Sequence, residues 1–202
     1  MSSSHELDKL IRALQIQPGI GLRSATRIAY HLLERRRPDA MELGQILISA
    51  MRNIKLCTCC RNYCDHEICT ICQKPERHQA RQLCIVESPS DVEAIEQSNN
   101  YFGLYFVLHG HLSPIDGVGP NELGLPQLDE LLTREPFDEI ILATNPTIEG
   151  DATASFIAAL AQKHAIKNIS KIASGVPVGG GIDNVDQKTL ASSLTHRRPF
   201  GD

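Results

Sequence analysis

The sequence predicts a multidomain chain of the α and α/β class: a helical front, a small four-cysteine metal knuckle, an α/β domain on a parallel sheet, and a glycine-rich tail with a short helix. Three observations carry that prediction. Apolar residues recur at helical spacing up to the first cysteine. Six of the seven cysteines crowd into the stretch Cys57 to Cys72. Beyond residue 80, short apolar runs alternate with helical stretches, the pattern of strands joined by crossover helices.

A chain of 202 residues is long enough for a substantial core in one or two domains. No run approaches the ~18 apolar residues of a membrane span. The start, MSSSHELDKL, has neither the basic nor the apolar region of a signal peptide, so a cytoplasmic location is expected. Thiols stay reduced there, and paired CxxC sequences favour metal over disulfides. The net charge of −4 hides an asymmetry. Residues 1–80 carry 12 basic against 8 acidic side chains, a net of +4, and residues 81–202 carry 8 against 16, a net of −8. A basic front and an acidic back suit a DNA-facing module joined to a protein- or metal-facing one, although two ordinary solvated surfaces give the same numbers.

Leu7, Leu10, Ile11 and Leu14 follow helical spacing after a serine-rich start that can supply an N-cap. Pro18-Gly19-Ile20-Gly21 then breaks the pattern, and Ala25, Ile28, Ala29, Leu32 and Leu33 resume it. Helix, Gly-x-Gly turn and helix form a helix-hairpin-helix layout. Gly19 and Gly21 permit a tight turn, and the amides beyond it can hold a phosphate at a helix N-terminus. Arg23 and Arg27, four apart, share one face beside the turn. The bland alternative is a plain helical hairpin with a glycine turn. A longer amphipathic helix follows from Pro38, with Leu43, Ile46, Leu47, Ala50, Met51 and Ile54 on a face that can serve the hairpin or a partner subunit. Arg35-Arg36-Arg37 before it is expected to be a solvated loop.

Cys57-x2-Cys60 and Cys69-x2-Cys72 form two close pairs separated by eight residues. Four thiolates at that spacing can surround one Zn²⁺ tetrahedrally, and they are the most economical set. Cys59, Cys64 and His66 are spare donors, but Cys59 adjoins Cys60 and would point away from the same ion. Four sulfurs leave no open coordination position, which makes the site structural, a rigid joint between the parts on either side. Metal binding worth about 10 kcal/mol or more folds a segment with almost no apolar core of its own. Cys84, in an apolar run, is expected in the core.

In the back half, strands are expected at Leu83 to Val86, Leu104 to Leu108, Glu139 to Thr144 and Ile169 to Ala173. Helices are expected over Val92 to Ile95, at about 126–133 and 152–163, and at 187–194. Parallel sheets collect ligands at the carboxyl ends of strands. Glu87 follows the first strand, and Asn145-Pro-Thr-Ile-Glu149-Gly-Asp151 follows the third. Such carboxylates can place Mg²⁺, but positions 145 and 147 are neutral, and Glu149 and Asp151 can simply complement a helix dipole. His109, His111 and Asp116 lie in a loop rich in glycine and proline, which is expected to be a rigid interaction loop. No GxxxxGK[ST] motif occurs, so P-loop ATP chemistry is not expected.

In this order the parts resemble the RecR family of bacterial recombination proteins over essentially the whole length. The resemblance rests on PGIGLRSATRIAYHLL (18–33), the four cysteines, LCIVESPSDVEAIE (83–96), GHLSPIDGVGP (110–120), LATNPTIEGDATA (142–154) and ASGVPVGG (173–180). It implies a helix-hairpin-helix region over 1–56, a C4 zinc finger over 57–72, a Toprim domain over 80–175 and a C-terminal arm over 176–202. It also implies a homo-oligomer, a dimer or tetrameric ring, that clamps single-stranded, double-stranded or gapped DNA. The family works with RecO and RecF to load the recombinase RecA onto gaps covered by single-strand-binding protein. By resemblance, Arg23 and Arg27 with Gly19 and Gly21 contact DNA, and Cys57, Cys60, Cys69 and Cys72 hold zinc. Glu87 is the Toprim glutamate, grouped with Asp91, Glu149 and Asp151 as an acidic, partner-binding surface. Asn145 and Thr147 stand where catalytic Toprim enzymes carry an Asp-x-Asp pair. The chain departs from the family at Gly180-Gly181-Ile182-Asp183-Asn184, where a Gly-Glu-Leu-Glu-Tyr run is usual, and at His109, where a small residue is usual.

Three readings follow: a non-catalytic DNA clamp and recombination mediator; a Mg²⁺-dependent nuclease, primase or strand-passing enzyme using Glu87, Glu149 and Asp151; and a protein-binding adaptor whose hairpin is only scaffold.

Overall fold

The computed structural model describes residues 4–173, 175, 183 and 185–195. The chain forms two compact units, Met1–Ile54 and Lys55–Asp202.

In the first unit, Ser4 caps α1 (His5–Leu14), its side chain accepting from the Leu7 amide. Gly19 turns the chain with φ +78°, a conformation costly for a residue with a Cβ. Gly21 sits at φ −81° as the N-cap of α2 (Leu22–Arg35), with no side chain capping that helix. Ile11, Ala25 and Ala29 make a small core, with Leu7, Leu10, Leu14 and Ile20 packed round it. Only Arg36 separates α2 from α3 (Arg37–Asn53), so the arginine run joins two helices rather than forming a loop. Pro38, in the first turn of α3, fits where a missing N–H costs nothing. No residue of α3 is buried; Leu43 and Leu47 are each 50% exposed and Met51 is 76% exposed.

The second unit begins with an antiparallel pair, β1 (Lys55–Leu56) and β2 (Tyr63–Cys64), followed by α4 (Pro75–Gln79). A sheet of four parallel strands follows, β3 (Gln82–Val86), β4 (Leu104–Val107), β5 (Glu139–Ala143) and β6 (Asn168–Lys171), in the order β4-β3-β5-β6. Between them run α5 (Pro89–Ser98), α6 (Leu125–Arg134) and α7 (Ile148–Lys163), with α8 (Gln187–Thr195) after β6. The expected strand and helix order is therefore present. Helix α7 starts earlier than its apolar pattern indicates, because Thr147 accepts from the Gly150 amide and caps it there. Gly180, Gly181, Ile182 and the RRPF segment lie outside the described residues.

Strands β3 and β4 are apolar and buried nearly throughout, with Leu83, Ile85, Val86, Tyr105, Phe106 and Val107 at the centre. Burial pushes the Cys84 thiol up to about 12, the behaviour of a core cysteine. Helix α4 is tied in by Arg77, which forks onto both Glu96 oxygens at 2.8 and 2.6 Å and donates to the Tyr101 and Gly103 carbonyls. Tyr105 donates its hydroxyl to the same carboxylate. The strand order reverses at β3: the chain steps outward to β4, then returns to β5 on the other side. The carboxyl ends of β3 and β5 thus flank the switch point where such sheets take ligands.

Candidate functional site

Two constellations lie in the second unit and a third in the first. The first constellation is sulfur. Cys57, Cys60, Cys69 and Cys72 are all buried, with their sulfurs within 4.8 Å of one another. A tetrahedral zinc site with Zn–S of about 2.3 Å has S···S edges of about 3.8 Å. The 3.5 Å separation of the Cys60 and Cys69 sulfurs is close to that edge, and the donor set fits Zn²⁺. Backbone amides point at the sulfurs, Cys69 N to Cys57 Sγ at 3.3 Å and Asn62 N to Cys60 Sγ at 3.5 Å, as thiolate ligands require. Hydrogen bonds from Cys60, Cys69 and Cys72 lower the Cys57 thiol; Cys72, bonded to the other three, is raised. Cys69 is lowered and Cys60 raised in the same way, so the four thiols share their protons through mutual hydrogen bonds. Cys59 and Cys64 stand outside it. Cys59 lies 3.8 Å from an Arg134 nitrogen, and Cys64 donates to the His66 carbonyl. A bound zinc would supply folding energy and no open position for a reactant.

The second constellation is at the switch point. Glu87, 5% exposed, follows β3 and accepts two hydrogen bonds from Asn145 after β5: backbone N to Oε1 at 2.8 Å, and Nδ2 to Oε2 at 2.6 Å. His111 Nδ1 lies 3.5 Å from Oε2. Each carboxylate oxygen thus accepts from one Asn145 N–H donor. Gly150 is required beside them, since a Cβ there would overlap the Asn145 carbonyl and come within 3.0 Å of Glu87 Oε1. The other acidic residues do not join Glu87. Asp91 closes a capping box with Ser88, its carboxylate accepting from the Ser88 amide at 2.8 Å. Glu149 is exposed in the first turn of α7, and Asp151 pairs with Lys171. Asp116 bonds Ser113 across a turn, and His109 points to the Arg61 carbonyl. Among the described residues the four cysteines are the one group of three or more possible ligands that converges. Glu87, Asp91, Glu149 and Asp151 thus form no converging set of three or more ligands.

The third constellation belongs to the first unit. Arg23 and Arg27 are exposed one helical turn apart on α2, next to the Gly19–Gly21 turn and the uncapped helix start. Neither has an acidic partner among the described residues.

Some of this escapes sequence reasoning. The roles of Arg61, Arg77 and Asn145 as hydrogen-bonding clamps depend on which strands become neighbours, and no local pattern signals them.

A hairpin of helices, a sulfur-saturated knuckle and a parallel sheet with a glutamate at its switch point define a DNA-associated Toprim protein. A family model described as the Toprim domain matches residues 81–173. Models described as the RecR helix-hairpin-helix and the RecR C-terminal region match residues 7–51 and 175–198. The chain belongs to the RecR family, whose role is in recombinational DNA repair. No helix among the described residues is long and apolar enough to cross a membrane.

Proposed function

We propose that the protein is a cytoplasmic, non-catalytic DNA clamp and recombination mediator. In this reading it assembles as a dimer or tetrameric ring, binds single-stranded, double-stranded or gapped DNA, and acts with RecO and RecF to load RecA in a RecBC-independent pathway. The observation that carries it is the exposed pair Arg23 and Arg27, with no acidic partner among the described residues, beside a glycine turn whose following amides have no side-chain cap. Two positive charges and free N–H groups on one edge are what a phosphate backbone requires. The apolar, unburied α3 supports self-association. The Asn145-bound Glu87 supports a mediator over a metal-dependent enzyme, since a phosphoryl-transfer centre needs carboxylate oxygens free to face cations. Glu87, Asp91, Glu149 and Asp151 then serve as an acidic surface for protein partners, and zinc at Cys57, Cys60, Cys69 and Cys72 as structure.

The double variant Arg23→Ala, Arg27→Ala tests the DNA reading. Its affinity for DNA should fall, and the slope of log K against log salt should flatten by up to about two units. Unchanged affinity and slope would remove the hairpin from the interface and favour the adaptor.

A further inference from the structure

Arg61 follows the ligand Cys60, yet its side chain turns away from the sulfurs and into the α/β unit. Its guanidinium donates to the Leu123 carbonyl and stands 5.7 Å over the Phe106 ring of β4. It occupies the space beside Gly124, where φ is +69° and a Cβ would overlap it. Arg61 itself has φ 62°, a left-handed conformation unfavourable for a residue with a Cβ. That conformation is held by the closed cysteine turn, through the Arg61 amide to the Cys57 carbonyl at 2.9 Å. The Arg61 carbonyl then accepts from His109 Nε2 at 2.7 Å, which requires the Nε2-protonated tautomer.

His109 is also left-handed, at φ 60°, with its ring 5.3 Å from that of Tyr63 on the knuckle. One residue further, the Gly110 amide donates to the Glu87 carbonyl at 2.9 Å; two residues further, His111 reaches the Glu87 carboxylate. The Val107 amide, just before this segment, donates to the Cys60 carbonyl at 2.8 Å. Bonds therefore run without a gap from two metal ligands to the glutamate at the switch point.

We propose that Arg61 and His109 are positioning residues forming a latch, through which the metal centre orders the segment His109–His111 beside Glu87. With zinc bound, the cysteine turn holds Arg61 left-handed and presents its carbonyl to His109. Without it the knuckle has no core of its own to keep that carbonyl in place, and His109 loses the bond that offsets its unfavourable backbone. The latch depends on the metal centre but not on DNA binding.

Hydrogen exchange by mass spectrometry on the full-length zinc-loaded protein tests this. His109→Ala should keep its zinc and its protection of β5, while the segment containing Gly110 and His111 exchanges about tenfold faster. Stripping zinc from the unsubstituted protein with a thiol reagent and chelator should accelerate the same segment, and should add little in His109→Ala. Unchanged protection of Gly110 and His111 in zinc-loaded His109→Ala would overturn the latch. So would acceleration confined to residues 57–72 on metal removal. If stripping also exposes β5, the zinc-loaded His109→Ala protein decides alone, because it retains all four sulfurs. No DNA enters the experiment, so failure of the latch and failure of the clamp reading are distinguishable.

Discussion

Glu87 and Glu96 are both carboxylates held by N–H donors, and they differ in what the holding does. At Glu87, Asn145 occupies both oxygens with neutral N–H groups at the switch point, where chemistry would otherwise sit. At Glu96, the bidentate Arg77 is charged and buried, with 8% side-chain exposure against 28% for its partner. Burial alone would raise the Glu96 carboxyl, but hydrogen bonds from Arg77 and Tyr105 and the nearby Arg77 charge outweigh it and hold the group below its ordinary range. A carboxyl lowered on folding contributes stability that is complete above its unfolded pKa of about 4.3 and lost as pH falls through the folded value. Urea midpoints measured from pH 6 down to pH 3 should therefore fall more steeply for the unsubstituted protein than for Glu96→Gln. Parallel curves would show that the pair contributes nothing at neutral pH. Glu87 was legible in the sequence as a charged residue ending an apolar run, and so was the neutrality of Asn145. Their bond was not, because it exists only once β5 lies beside β3, and nothing local to either residue states that order.

At the scale of elements, periodicity foretells α1, α2 and α3 well, and it gives α3 an apolar face without saying what that face meets. The structure leaves α3 without a buried residue, so its apolar side chains do no work in the core of their own unit. Replacing Leu43, Leu47 and Met51 with Ser should thus cost little monomer stability, within about 0.5 kcal/mol for each surface change. The same triple variant should sediment as a smaller species than the unsubstituted protein, with its helical circular dichroism retained. Unaltered sedimentation would place self-association on another surface. Strand β4 gives the converse case. It lies at the edge of the sheet but is buried along its whole length, and the knuckle supplies the Cys60 carbonyl for its Val107 amide. An open apolar edge invites stray strand pairing, and the metal-folded loop helps cover it. The CxxC spacings reveal the metal site; the pairing with β4 depends on tertiary placement that no spacing encodes.

Over the whole molecule, counted by unit, residues 1–54 carry 8 basic against 5 acidic side chains (+3) and residues 55–202 carry 12 against 19 (−7). The first unit has a small apolar cluster built on Ile11, Ala25 and Ala29. The cluster of the second contains the four cysteines together with the sheet residues. The cysteine stretch, expected as a joint, thus contributes to the second core, where metal binding and sheet packing reinforce one another. Two units with separate cores need not unfold together, and a single transition is not the expectation. The chain has no tryptophan and four tyrosines, of which Tyr101 and Tyr105 pack edge-on in the second unit with ring centroids 5.0 Å apart. Near-ultraviolet circular dichroism should be dominated by that pair and report the second unit, while the far-ultraviolet signal includes the helices of the first. Cys60→Ser removes one sulfur from a centre whose metal is worth about 10 kcal/mol or more to folding. It should lower zinc content below one ion per chain and move the tyrosine transition down by many degrees, leaving an early helical transition where it was. A zinc-free Cys60→Ser protein with an unshifted tyrosine transition would mean that the sheet holds its fold without the metal, and the sulfur centre would lose its structural role.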